Sequence, residues 1–122
     1  MVVLIKNAEV YDPRFLGKQD ILILGDKIAA VGKNLQAEFN GAVHVETIDG
    51  TDFAAVPGFI DSHEHIMGGG GEGGFHTRTP EAALSGLTCC GITTVVGCIG
   101  TDGISRDMTG LLAKAHGLEN EG

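Results

Sequence analysis

The sequence predicts an α/β chain in two parts. A small β-rich unit of the sandwich type is expected over residues 1–56, and the first two βα units of a parallel (β/α)8 barrel over residues 57–122. Three observations lead there. Apolar runs in the first half are short, rich in Val and Ile, and separated by turn residues. After Pro57 the pattern changes to strand, loop, helix, strand, loop, helix. Only two such units fit in a chain of 122 residues, whereas closing a barrel takes on the order of 250, so the barrel is expected to be incomplete in this chain.

Each element has its own local signal. Val2–Ile5 and Glu9–Tyr11 are apolar runs separated by polar residues. Residues 20–24 and 27–31 flank Gly25-Asp26, a two-residue connection that predicts a hairpin with a type II′ turn. Residues 43–47 alternate as a half-buried strand does, Asp49-Gly50 marks a turn, and residues 53–56 form a strand ended by Pro57-Gly58. Residues 1–56 therefore read as an antiparallel unit. Next, Phe59–His63 begins apolar and ends ionisable, and the glycine-rich stretch 68–74 follows as a loop. Thr79-Pro80-Glu81 has the order of a helix start, with Thr as N-cap, Pro at the first helical position and an acid in the first turn. That helix is expected to reach Cys90 and stop at Gly91. Residues 92–96 read as a strand buried on both faces. Residues 100–103 read as a loop, and residues 109–118 as a helix with Leu111, Leu112, Ala115 and Leu118 on one side.

Composition narrows the function. The net charge is −8, with 16 acidic against 8 basic side chains, which argues against a nucleic-acid or anionic-membrane surface. No run approaches the roughly 18 apolar residues of a membrane span, and the N-terminus has no basic segment before a signal core. A cytoplasmic protein is expected. Cys89, Cys90 and Cys98 are an odd set with no zinc-finger spacing, not a disulfide framework. Cys89-Cys90, at the end of a helix, read as small buried hydrophobes. Glycine, at 20 residues, is the unusual figure, and many are concentrated in residues 68–74.

The chemistry begins at His63-Glu64-His65. In a strand, residues i and i+2 share a face, so Asp61, His63 and His65 line one side. Two imidazoles and a carboxylate at the C-terminal end of a barrel-type strand suit a divalent metal. Two histidines do not complete a zinc site, which needs at least three protein ligands. His44 and His116 are poorly placed to join them, and His76 lies beyond the glycine stretch, so the remaining ligands are expected outside this chain. The glycine stretch lacks the Gly-Lys-Ser/Thr ending of a phosphate loop. It reads either as a flexible linker or as a ligand loop whose acid, Glu72, meets a substrate ammonium. Thr101 and Asp102 follow the second strand of the array. They can touch substrate or merely form a turn. Arg78 and Arg106 suit either a substrate carboxylate or surface ion pairs.

The segment Val56-Pro57-Gly58-Phe59-Ile60-Asp61-Ser62-His63-Glu64-His65 resembles the first barrel strand of the amidohydrolase superfamily. Residues 68–74, Thr77-Arg78-Thr79-Pro80-Glu81, and residues 91–97 and 100–106 narrow the resemblance to isoaspartyl (β-aspartyl) dipeptidases. It covers nearly the whole chain and about the first third of such an enzyme. The resemblance implies a metal-dependent barrel with two zinc ions per full-length active site, for which His63 and His65 match the first-strand ligands. A carboxylated lysine, two histidines and an aspartate would complete the site, and the aspartate would be the general base. None of these positions lies in this chain, so no catalytic residue is expected here. Glu72 matches the residue that binds the substrate's α-ammonium, and Gly70 and Thr101 match substrate-pocket positions.

The substrate implied is a small molecule, a β-aspartyl dipeptide, whose isopeptide carbonyl is attacked by a metal-activated hydroxide. A homo-oligomer is implied for the full-length form. On this reading the 122 residues alone are expected to be inactive. The alternatives are another amidohydrolase acting on a cyclic amide, as hydantoinases and dihydroorotases do, or a non-catalytic truncated domain.

Overall fold

Two long N-terminal strands organise the first unit. The computed structural model describes residues 1–122, which divide into the compact units Met1–Pro57 and Gly58–Gly122. In the first unit, β1 (Val2–Asp12) pairs antiparallel with β2 (Arg14–Leu24), and β2 pairs antiparallel with β3 (Lys27–Gly32) across Gly25-Asp26. Gly25 has φ +64° and Asp26 does not have positive φ, the pattern of the expected type II′ turn.

The two apolar runs of the N-terminus belong to one strand. Its ladder is irregular between Ile5 and Ala8, where Asn7 adopts φ +62°. β4 (Val45–Asp49) and the short β5 (Ala54–Ala55) then run along the other edge of β1, both parallel to it. The unit is therefore one mixed five-stranded sheet, not the expected antiparallel sandwich. The reason lies in residues 33–44, which form no strand or helix. They return the chain to the start of β1, and a parallel pair needs such a crossover where an antiparallel one needs only a tight turn. Ala8, Val10 and Ile21 form the buried cluster, with Ile5, Ile23 and Ala55 against it.

Asp20, 3% exposed, directly precedes Ile21 of that cluster in β2. Its carboxylate accepts hydrogen bonds from Lys6 Nζ (2.7 Å), Asn7 N (2.9 Å) and Leu35 N (2.9 Å). One buried acid thus ties the crossover to both long strands. Burial opposes its charge, but the bonds from Lys6, Asn7 and Leu35 prevail and hold its carboxyl below the ordinary value.

The second unit carries the βα pattern. β6 (Phe59–Glu64) and β7 (Ile92–Gly97) form a two-stranded parallel sheet. α1 (Leu84–Thr88) lies between them in sequence, and α2 (Met108–Glu121) follows β7. Ile66, Leu111 and Leu118 form the core, with Met67, Ala82, Leu84, Leu87, Val95 and Ile99 packed against it.

The helix after Thr79 is shorter than expected: residues 79–83 are not helical and α1 starts from Ala83, which makes no side-chain cap. The Thr79 hydroxyl is engaged instead by the glycine loop, accepting from Gly69 N at 2.7 Å, while Ala82 N donates to Ile66 O at 3.0 Å. β7 is not buried on both faces, since β6 is its single neighbour and Thr93, Thr94 and Val96 are exposed. Cys89 and Cys90 are exposed rather than buried, because they lie in the turn beyond the short α1. Leu112 is exposed while Leu111 and Leu118 are buried, so the apolar side of α2 is narrower than the sequence suggests. α1 ends at Thr88 with Cys89 as its C-cap, short of the expected stop at Gly91, which adopts φ +75° in the turn that follows, and the Asp107 side chain caps α2 by accepting from Gly110 N at 2.8 Å. No helix is long and apolar enough to cross a membrane.

Candidate functional site

The end of β6 and the loops that follow β6 and β7 meet in the second unit. His63 lies near the end of β6, and its amide donates to Asp61 Oδ1 at 2.9 Å. His65 lies just beyond the strand. The two imidazoles are edge to face, with ring centroids 5.1 Å apart. His65 Nδ1 lies 3.3 Å from the Cys98 carbonyl oxygen. A carbonyl can only accept, so this contact is a hydrogen bond only in the tautomer with its proton on Nδ1, which leaves the Nε2 lone pair for a ligand. Cys98 N in turn donates to Glu64 O at 2.8 Å, which locks the end of β7 to the end of β6. No group of three or more His, Cys, Asp or Glu side chains converges in the chain. The histidine pair supplies two donors of the right type, fewer than a zinc site needs.

The glycine stretch is an ordered loop, not a slack linker. Gly68 N donates to His65 O (2.6 Å), Thr79 N to Gly69 O (2.9 Å) and Gly74 N to Gly71 O (3.0 Å). Arg106 donates to Gly69 O (3.1 Å) and Thr79 O (2.8 Å), so it braces the loop from outside. Gly70 has φ +72°, and a Cβ there would lie 2.5 Å from Thr77 O. Both facts require glycine at this position. Thr101 Oγ1 donates to Gly70 O at 3.1 Å, which brings together the two pocket positions inferred from sequence. Gly100 also faces His65, since a Cβ there would lie 3.6 Å from its Nδ1. Glu72 is exposed on the same loop, two residues after Gly70. A cleft of about 160 Å3 lies beside them, lined by Gly71, Gly74, Phe75, Thr101, Asp102 and Ile104.

Arg78 and Asp102 pair with each other rather than offering themselves to a ligand. Asp102, 6% exposed, takes an ion pair from Arg78 at 3.2 Å. It also accepts from the Ser105 hydroxyl and from the amides of Ser105 (3.0 Å) and Ile104 (3.2 Å). The Ser105 bonds, with help from Arg78 and Ile104 and against the cost of burial, hold the carboxyl far below the ordinary range. Arg78 also donates to Ser105 Oγ and, through Nε, to Phe75 O at 3.2 Å. Ser105 is the residue that the sequence reading missed. Its signal was present in the spacing, because an Asp three residues before a Ser is a local turn-forming arrangement. His44 and His76 are exposed, and His116 Nδ1 lies 3.2 Å from Glu119 Oε2 on α2, so none of the three joins the histidine pair.

No protein-family model matches the chain. A β-aspartyl dipeptidase of Fervidobacterium islandicum AW-1, solved in complex with the β-Asp-Leu dipeptide, is 48% identical with a TM-score of 0.81, covering 100% of this chain and 31% of that one. Another structure of β-aspartyl dipeptidase from that organism is 47% identical with a TM-score of 0.84, covering 100% and 33%. Among curated proteins, a dihydroorotase of Elusimicrobium minutum is 44% identical over 98 residues, 78% of this chain and 21% of that protein. The chain thus spans about a third of the solved dipeptidases and about a fifth of the dihydroorotase. It carries the opening of an incomplete amidohydrolase barrel, and along its whole length it is similar to the N-terminal third of β-aspartyl dipeptidases.

Proposed function

We propose that the longest natural chain carrying these residues hydrolyses β-aspartyl dipeptides with the help of zinc. One observation carries the reading: likeness to a β-aspartyl dipeptidase extends over 100% of the chain at 48% identity, and so includes the glycine loop and Glu72. Likeness to the dihydroorotase covers 78%.

His63 and His65 would hold metal, with Nε2 of His65 aimed by the Cys98 carbonyl. Bound zinc would activate water and polarise the isopeptide carbonyl. The chain's own residues bind and orient. Glu72 accepts the substrate's α-ammonium, a charge-assisted bond that a cyclic imide or amide does not offer. Gly70 and Thr101, joined by their hydrogen bond, wall the same subsite.

The test is hydrolysis of β-Asp-Leu and of dihydroorotate by that longest chain. Cleavage of the dipeptide is expected, lost on chelation and restored by zinc. Glu72→Gln is expected to lower kcat/KM for the dipeptide about 100-fold, the scale of losing one partner of a desolvated charge pair. Turnover of dihydroorotate with none of the dipeptide would establish the second reading, which the curated relatives favour.

A further inference from the structure

We infer that Asp102, Arg78 and Ser105 form a positioning latch that sets the substrate subsite of the glycine loop. The inference rests on the dipeptidase reading above.

Asp102 lies beside both halves of that subsite. It follows Thr101 directly, and its Cβ lies 3.4 Å from where a Cβ on Gly71 would stand. Gly71 is the residue between Gly70 and Glu72, and the same Cβ position would lie 3.6 Å from Arg78 Cγ and 3.9 Å from Thr101 Oγ1. The turn that presents Glu72 therefore lies beside Asp102, Arg78 and Thr101, within the space one side-chain carbon would fill.

The latch spans three segments that lie outside the strands. Arg78 belongs to the stretch after the single 3₁₀ turn Phe75–Thr77. Asp102 and Ser105 belong to the loop after β7. Gly70–Glu72 belongs to the loop after β6. Arg78 Nη1 bonds Asp102 Oδ2 at 3.2 Å, and Arg78 Nε holds Phe75 O. The Asp102 side chain is 2% exposed, so the pair is shielded from solvent on the acid's side and holds one geometry more firmly than a surface pair would. Removing a member takes away one wall of the glycine turn, where Gly70 and Gly71 have no side chains of their own, while the hydrogen bonds from Thr101, Thr79 and Arg106 remain. The latch acts through Glu72, which the turn presents.

The experiment is a mutant cycle on the longest natural chain, with β-Asp-Leu as substrate. Asp102→Asn is expected to raise KM, with a smaller change in kcat. The loss in kcat/KM should be about 10-fold, the scale seen when a group supporting a functional residue is removed. In a Glu72→Gln background the same substitution should cost under about 2-fold, because the contact it positions is already gone. Ser105→Ala, a milder change, should show the same dependence on background if Asp102→Asn does not fold. Equal losses in both backgrounds overturn the inference and leave a structural ion pair. A wild type that is inactive on β-Asp-Leu overturns the functional reading, and this inference with it. An active wild type with background-independent variants overturns this inference alone.

Discussion

Gly97 at the end of β7 shows how a single missing methyl can matter. A Cβ there would stand 2.9 Å from Ile66 Cδ1 and 3.3 Å from Leu111 Cδ1. Ile66 is fully buried and Leu111 nearly so. Replacing Gly by Ala stabilises by about 0.4–1 kcal/mol where the backbone permits it, by restricting the unfolded chain. Overpacking a filled core costs about 1–3 kcal/mol. The larger effect decides the sign, so Gly97→Ala should lower the melting temperature of the protein, measured by thermal unfolding. An unchanged or higher melting temperature would show that Ile66 can shift at little cost.

At the scale of elements, Asp20 sets how the crossover joins the sheet. The residue pairs with Lys6, a partner 26% exposed, and accepts two backbone amides, so Asp20→Ala leaves two amides unmatched and Lys6 with only the Leu35 carbonyl as its partner. A loss of about 2–4 kcal/mol is expected from charged hydrogen bonds broken in a buried place, read by denaturant unfolding. The pH dependence follows from the direction of the shift. Asp20 and Asp102 both have carboxyls held below their unfolded values. Their contribution to stability is therefore fully present above about pH 4 and is lost as the pH falls through the folded-state values. Asp20→Ala should flatten the acid limb of the stability profile. An acid limb identical to that of the wild type would remove Asp20 from the account. None of this was legible in sequence, where Asp20 was simply the first residue of an apolar run. Its role depends on Leu35, which is distant along the chain, being brought to it by a stretch without periodicity.

For the whole molecule, the 122-residue polypeptide alone should show no zinc-dependent hydrolysis of a β-aspartyl dipeptide. His63 and His65 supply two donors, and no third His, Cys, Asp or Glu joins them, while a catalytic zinc site takes three from the protein. Turnover by that polypeptide, assayed with added zinc, would overturn the proposed division of the site. The same polypeptide leaves Phe59, Ile60 and Val96 exposed on a two-stranded sheet. Two strands are few for independent stability, and edges of this kind pair readily with other chains.

Local chemistry explains which parts of this architecture could be read in advance. The Gly25-Asp26 hairpin, the βα alternation after Pro57, the left-handed turn at Gly91 and the histidine pair at the end of β6 each depend on neighbours within a few residues, and each was visible as a pattern of residue types. Long-range competition for hydrogen bonds settled the rest. The Thr79 hydroxyl had two possible uses, a helix cap or the glycine loop, and the loop took it. Arg78 and Asp102, 24 residues apart, had a ligand or each other to bind, and they found each other. The sheet became mixed rather than antiparallel because residues 33–44 carry the chain back along β1. A residue type states what a group can bond. Which of several possible partners it meets depends on where the whole chain places them.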